Sequence, residues 1–142
     1  MINIKNWPEN IKVNQVRIAR PTNKLIEIKR FYGDGIGLPV IGLFEDHDGY
    51  SGLMFGLPDS NYHLEFTRHA EEKECRAPTK DNLLVFYLPD KNDVEKIVSR
   101  LNSLGYKETA SQNPYWNEYG VTIEDPDGWR IVLMNTGGIN SN

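Results

Sequence analysis

One cysteine, Cys75, stands among 142 residues, so an intrachain disulfide is impossible and a cysteine-rich structural zinc site is excluded. A lone thiol suits a reducing compartment, and the chain is expected in the cytoplasm. Cys75 lies in the polar stretch "EEKECRAPTK", which offers no electropositive pocket to activate it, so it reads as incidental. Charge of one sign is also scarce. Sixteen Lys and Arg face twenty Asp and Glu, a net charge of −4 with no basic stripe. That balance argues against nucleic acid or an anionic membrane as partner. No run of 18 apolar residues occurs, so no membrane span is expected, and "MINIKNWPEN" lacks the apolar core of a signal peptide.

What remains is an ordinary soluble composition, 39% hydrophobic and 25% charged. The length fits a single domain, 1–142, able to bury roughly 70% of its unfolded surface. Its clearest element is "DKNDVEKIVSRLNSLGY", where Val94, Ile97, Val98, Leu101 and Leu104 recur at helical spacing. Asp90 or Asn92 can cap its start, and Gly105 supplies a left-handed stop. Before it, "NLLVFYLPD" reads as a strand ended by Pro89.

The same order occurs earlier. "NQVRIARPT" is a strand ended by Pro21, and "NKLIEIKRFYGDGIGL" is helical, with Leu25, Ile28, Phe31 and Tyr32 on one side. Pro21 and Pro89, Glu27 and Glu95, and Gly37 and Gly105 are each 68 positions apart, which points to duplication. Short strands follow each helix. They are "PVIGLFE", "YSGLMFGL" and "YHLEFTR" in the first half, then "YKETAS", "YGVTIED" and "WRIVLMN" in the second. Turns fall at Asp48-Gly49, at "PDSN" (58–61) and at "DPDG" (125–128). The fold class is therefore α+β, two βαβββ modules over about 13–70 and 82–136, joined by a polar linker over about 71–81. One such module leaves a curved sheet face bare, and two are expected to enclose a cavity between their sheets.

"VNQVRIARP" with its helix ending "FYGDGIGL", then "SGLMFGLPDSNYHLEFT" and "YGVTIEDPDGWRIVLMN", give residues 13–135 a likeness to a known group. The chain resembles the vicinal oxygen chelate superfamily, which holds glyoxalases, extradiol dioxygenases, fosfomycin resistance enzymes and bleomycin resistance proteins. The resemblance implies a glyoxalase-like fold and a homodimer. It also implies four metal-ligand positions, two per module, at Gln15, Glu65, Leu83 and Val132. A register error of one would substitute Asn82 or Leu84 for Leu83, and Ile131 or Leu133 for Val132; none is a strong ligand. Aliphatic carbon cannot coordinate a hard divalent ion. The expectation is no cofactor, with one divalent metal ion held by Gln15, His63 and Glu65 as the alternative.

Strand alternation selects the rest of the site. His63, Glu65 and Thr67 share a face opposite Leu64 and Phe66, and Gln15 and Arg17 oppose Val16 and Ile18. Val85 and Tyr87 share Leu83's face, and Arg130 and Met134 share Val132's. The expected ligand-binding set is Gln15, Arg17, His63, Glu65, Tyr87, Trp116 and Arg130, with Tyr115, Trp116 and Tyr119 of "NPYWNEYG" as an aromatic flap. A plainer reading of the same face is that Arg17 or Arg130 pairs with Glu65 and His63 bonds to backbone. "GDGIG" (33–37) is not a nucleotide loop, because it closes a helix instead of opening one.

These residues support metal-independent binding of a small organic molecule, as in sequestration of a toxic compound. One alternative is a metal-dependent lyase, isomerase or transferase of glyoxalase or fosfomycin-resistance type, with Glu65 as ligand and base. Another is a metal-free acid–base enzyme whose catalytic groups are Glu65 and His63. The expected partners are a small organic molecule and a second copy of the chain.

Overall fold

A computed structural model describes residues 6–71 and 73–139. The signal-peptide reading of the N-terminus falls partly on residues 1–5, outside that range. The elements follow the duplicated order. The first module holds β1 (Val16–Pro21), α1 (Leu25–Ile28) continuing as a π-helix (Lys29–Ile36), β2 (Val40–His47), β3 (Tyr50–Gly56) and β4 (Tyr62–His69). The second holds β5 (Leu83–Tyr87), α2 (Lys91–Ser103), β6 (Glu108–Thr109), β7 (Gly120–Glu124) and β8 (Arg130–Met134). The sheets have matching strand orders, β1-β4-β3-β2 and β5-β8-β7-β6, each with its first and last strands parallel. The sixth strand is shorter than expected, because most of "YKETAS" leaves the sheet.

Local chemistry sets the boundaries. Asp90 caps α2 by accepting a hydrogen bond from the Asn92 backbone N–H at 2.8 Å. Both helical segments end at a glycine with left-handed φ, +94° at Gly37 and +95° at Gly105. The β2–β3 hairpin turns through Asp48 and Gly49, both at positive φ, as the two-residue turn requires.

The alternation read from "YHLEFTR" holds: Leu64 and Phe66 enter the core with Leu53 and Phe55, opposite His63 and Glu65. One hydrophobic core joins Ile28, Phe31, Tyr32 and Phe66 of the first module to Val94, Leu101, Ile123, Ile131 and Leu133 of the second. Each large side chain buried this way contributes about 1.5–3 kcal/mol. The helical segments meet at Gly35, where a Cβ would overlap Leu101, and the Arg100 Nε–H donates to the Gly35 carbonyl at 2.7 Å. The helix-facing sides of both sheets thus share one core. The sheets do not close on each other: β1 and β5 are both edge strands.

A buried polar tie also links the modules. Asp125 opens the "DPDG" turn and has a fully buried side chain. Its Oδ1 accepts from the Asp127 and Trp129 backbone N–H groups at 2.8 and 3.0 Å. Its Oδ2 accepts from Arg20 of β1 at 3.1 Å and from the Tyr32 hydroxyl at 2.7 Å. The Arg20 guanidinium lies over the rings of Phe66 and Trp129, 4.9 and 4.4 Å from their centroids. Burial, then the Asp125 charge, pushes the Tyr32 hydroxyl well above its ordinary pKa, so it serves as a donor. Among the described residues no helix is long and apolar enough to cross a membrane.

Candidate functional site

Parallel pairing of β1 with β4 decides which polar residues meet. Arg17 is the register partner of His63, and Ala19 that of Glu65. The Arg17 Nε–H donates to His63 Nε2 at 2.8 Å. Its Nη1 lies 3.5 Å from Glu65 Oε2, and its Nη2 reaches Met54 Sδ on β3 at 3.4 Å. One guanidinium therefore gathers an imidazole, a carboxylate and a thioether on the first sheet's outer face. His63 is 4% exposed, and the side chains of Glu65 and Arg17 are 12% and 48% exposed. The cluster is seated deep on one side and open to solvent on the other. Since Nε2 of His63 accepts, the ring proton sits on Nδ1, and that nitrogen is buried without a hydrogen-bond partner.

Gln15 does not join this cluster. It lies exposed before β1 begins, and extending the register puts it beside position 61. Four residues separate that level from Glu65, about 13 Å along a strand. The three-donor set of Gln15, His63 and Glu65 is therefore not assembled. The residue level with His63 is a cation.

The second module treats its equivalent face differently. Leu83 and Val85 are half-buried and stand outside the helix-side core, whereas their neighbours Leu84 and Phe86 pack against it. Val132 is fully buried, also outside that core. Its cover is the β6–β7 connection. Ser111 hydrogen-bonds Thr122, the register partner of Val132. The Trp116 carbonyl approaches Gly120 where a Cβ would collide with it, close to Val132 and Met134. Arg130, 5% exposed, donates to Glu124 Oε2 from Nε and Nη2 at 3.0 and 2.8 Å, and to the Ala110 carbonyl from Nη1 at 3.0 Å. Arg130 thus secures the connection and does not reach Glu65. Of the two arginines able to pair with Glu65, the structure selects Arg17.

The aromatic loop lies over its own sheet instead of over the His63 cluster. Trp116 stacks edge-on against Tyr115 at 4.9 Å, while Tyr115 and Tyr119 are exposed. Tyr87 is exposed at the end of β5, beside Gly138. Tyr87, Trp116 and Arg130 therefore stand apart from Arg17, His63 and Glu65. The sequence reading missed the Arg20–Tyr32–Asp125 tie. Its signal was Arg20 itself, a charge on the strand face of Val16 and Ile18, level with the core residue Phe66 of β4.

The donor set does not fit a divalent ion. Among the described residues no three His, Cys, Asp or Glu side chains converge as a metal requires. Leu83 and Val132 carry no donor atom, and both donors of the first sheet already face Arg17.

Residues 16–67 match the family model described as the YycE-like N-terminal domain, and residues 81–135 match the YycE-like C-terminal domain. The chain belongs to the YycE-like family. It is 55% identical over 126 residues to the YycE protein of Bacillus subtilis, covering 89% of this chain and 91% of that one. A crystal structure of that YycE protein superposes with a TM-score of 0.88 at 51% identity, over 94% of this chain and 98% of that one. Two remoter structures show the shared fold. Glyoxalase I of Leishmania major has a TM-score of 0.68 at 17% identity, over 88% of both chains. TnmS3, an antibiotic binding protein from Streptomyces sp. CB03234, has 0.61 at 19%, over 89% of this chain and 98% of that one. YycE-like chains are thus built on the glyoxalase-like fold of the vicinal oxygen chelate superfamily.

Proposed function

We propose that this YycE-like chain binds a small organic molecule, without a metal ion, on the first sheet's face around Arg17, His63 and Glu65. The carrying observation is the state of the second module's two ligand positions. Leu83 and Val132 are aliphatic, and Val132 is sealed beneath the β6–β7 connection. An ion here would have donors on one side only, too few to offset its lost hydration. A neutral or zwitterionic organic ligand has no such need. The half-exposed Arg17 guanidinium supplies donors, and Glu65 supplies an acceptor.

Sequestration of a toxic compound in the cytoplasm is the role this chemistry suits. The antibiotic-binding TnmS3 supports it as a protein of the same fold. We also propose a homodimer, in which a second copy covers the open strand edges β1 and β5.

The test is a thermal-shift screen of small molecules, including cationic aromatics, run with chelator and with divalent ions. A ligand at 100 times its Kd stabilises the fold by about 2.7 kcal/mol. The expected result is a shift that chelator leaves unchanged, lost in Glu65→Ala. Stoichiometric metal on protein purified without chelator, absent from Glu65→Ala, would overturn the proposal.

A further inference from the structure

We infer that Arg17 is a built-in cation seated between His63 and Glu65, on the side of the site that keeps its donors, and that it adds to the aliphatic Leu83 and Val132 in making the site refuse metal. The inference deepens the metal-free reading above and rests on it. Three groups on two strands, His63 Nε2, Glu65 Oε2 and Met54 Sδ, face one guanidinium at 2.8, 3.5 and 3.4 Å. An imidazole nitrogen, a carboxylate oxygen and a thioether sulfur are all metal-donor types, and borderline ions such as Ni²⁺ and Zn²⁺ accept such mixtures. Here His63 Nε2 and Met54 Sδ accept from Arg17, and Glu65 is paired with its charge. A metal would have to displace Arg17 from His63 and then sit beside its positive charge, and both costs act against binding.

The position of Arg17 follows from local rules. It shares a strand face with the cluster by alternation, and parallel pairing sets it level with His63. Its stem lies at the sheet edge and its head is half-exposed, so removing it opens space that water and ions can enter. The donors are held independently of it. His63 and Glu65 lie on β4, which is hydrogen-bonded to strands on both sides, and Met54 lies on β3, opposite Glu65.

The experiment compares untagged wild type, Arg17→Ala, Arg17→Gln and Arg17→Lys by calorimetric titration with Ni²⁺ and Zn²⁺, with circular dichroism as a check on folding. Arg17→Ala or Arg17→Gln should bind one equivalent at least about tenfold more tightly than wild type, since the displaced charge no longer opposes the ion. Adding His63→Ala should abolish the gain. Arg17→Lys keeps a cation there and should remain metal-poor. A folded Arg17→Gln with no gain overturns the inference alone, and ligand binding in the thermal-shift screen still stands. Wild type that already binds one equivalent at this cluster overturns both. A gain surviving His63→Ala places the ion elsewhere and also overturns it.

Discussion

Arg20 and Asp125 show how much can rest on a single buried pair. The Asp125 side chain is fully buried, and its outer oxygen has two side-chain partners, Arg20 and Tyr32. Replacing Arg20 by Met leaves that carboxylate without its counter-charge, and such losses cost about 3–5 kcal/mol. Urea denaturation at pH 7 should show a loss of that size. The double variant with Asp125→Asn should lose less than the sum of the two single changes, because both remove one interaction. Asp127 behaves differently. Burial raises its carboxyl above the ordinary pKa of 3.8; the Thr22 hydrogen bond lowers it, and the Asp125 charge raises it again, while Lys24 and Arg20 pull it down. A raised folded value means the native state binds this proton more tightly than the unfolded chain does. Ionised Asp127 therefore costs stability above its folded pKa, and that cost fades as pH falls towards 3.8. Asp127→Asn should stabilise the protein at pH 7, and its advantage should shrink on acidification. An advantage that grows in acid would contradict this sign.

Among the elements, the helix junction has the least slack. Alanine in place of glycine usually favours a helix by up to about 1 kcal/mol. At Gly35 the added Cβ meets the Cδ2 of Leu101, a fully buried side chain. Overpacking costs about 1–3 kcal/mol, so Gly35→Ala should be net destabilising, with a lowered melting temperature. A rise would show that the helices can shift apart. The strands explain what could be read in advance. Alternation within β4 placed Leu64 and Phe66 inside and His63 and Glu65 outside, because one strand's faces are set by its own pleat. Which β1 residue lies level with His63 was not legible. Forty residues, 22–61, separate the two strands, no turn fixes their offset, and a shift of two keeps every side chain on its face. Gln15 and Arg17 were thus equal candidates by pattern alone. The β6–β7 connection was equally opaque. Its hold depends on side-chain bonds from Ser111, Asn117 and Arg130, and these leave no periodicity.

For the molecule as a whole, the two halves share a strand order but are unequal. The first sheet keeps an open polar face, and the second covers an apolar one with its own chain. The open strand edges β1 and β5, with Ile18 and Tyr87 each 41% exposed on them, are the surfaces a second copy would cover. Sedimentation velocity at micromolar concentration should show a dimer. A monomer under those conditions would remove the dimer from the proposed function and leave the Arg17 cluster untouched.

The Arg20 clasp bears on how a small molecule arrives. Prising the two halves apart would strand the Asp125 charge, and a penalty of about 3 kcal/mol keeps such a gaping conformer below about 1% of the population. Traffic to Arg17 therefore needs no hinge. The guest meets a ready-made surface, and its capture rate should climb in proportion to its concentration, with no plateau set by a slow rearrangement of the host.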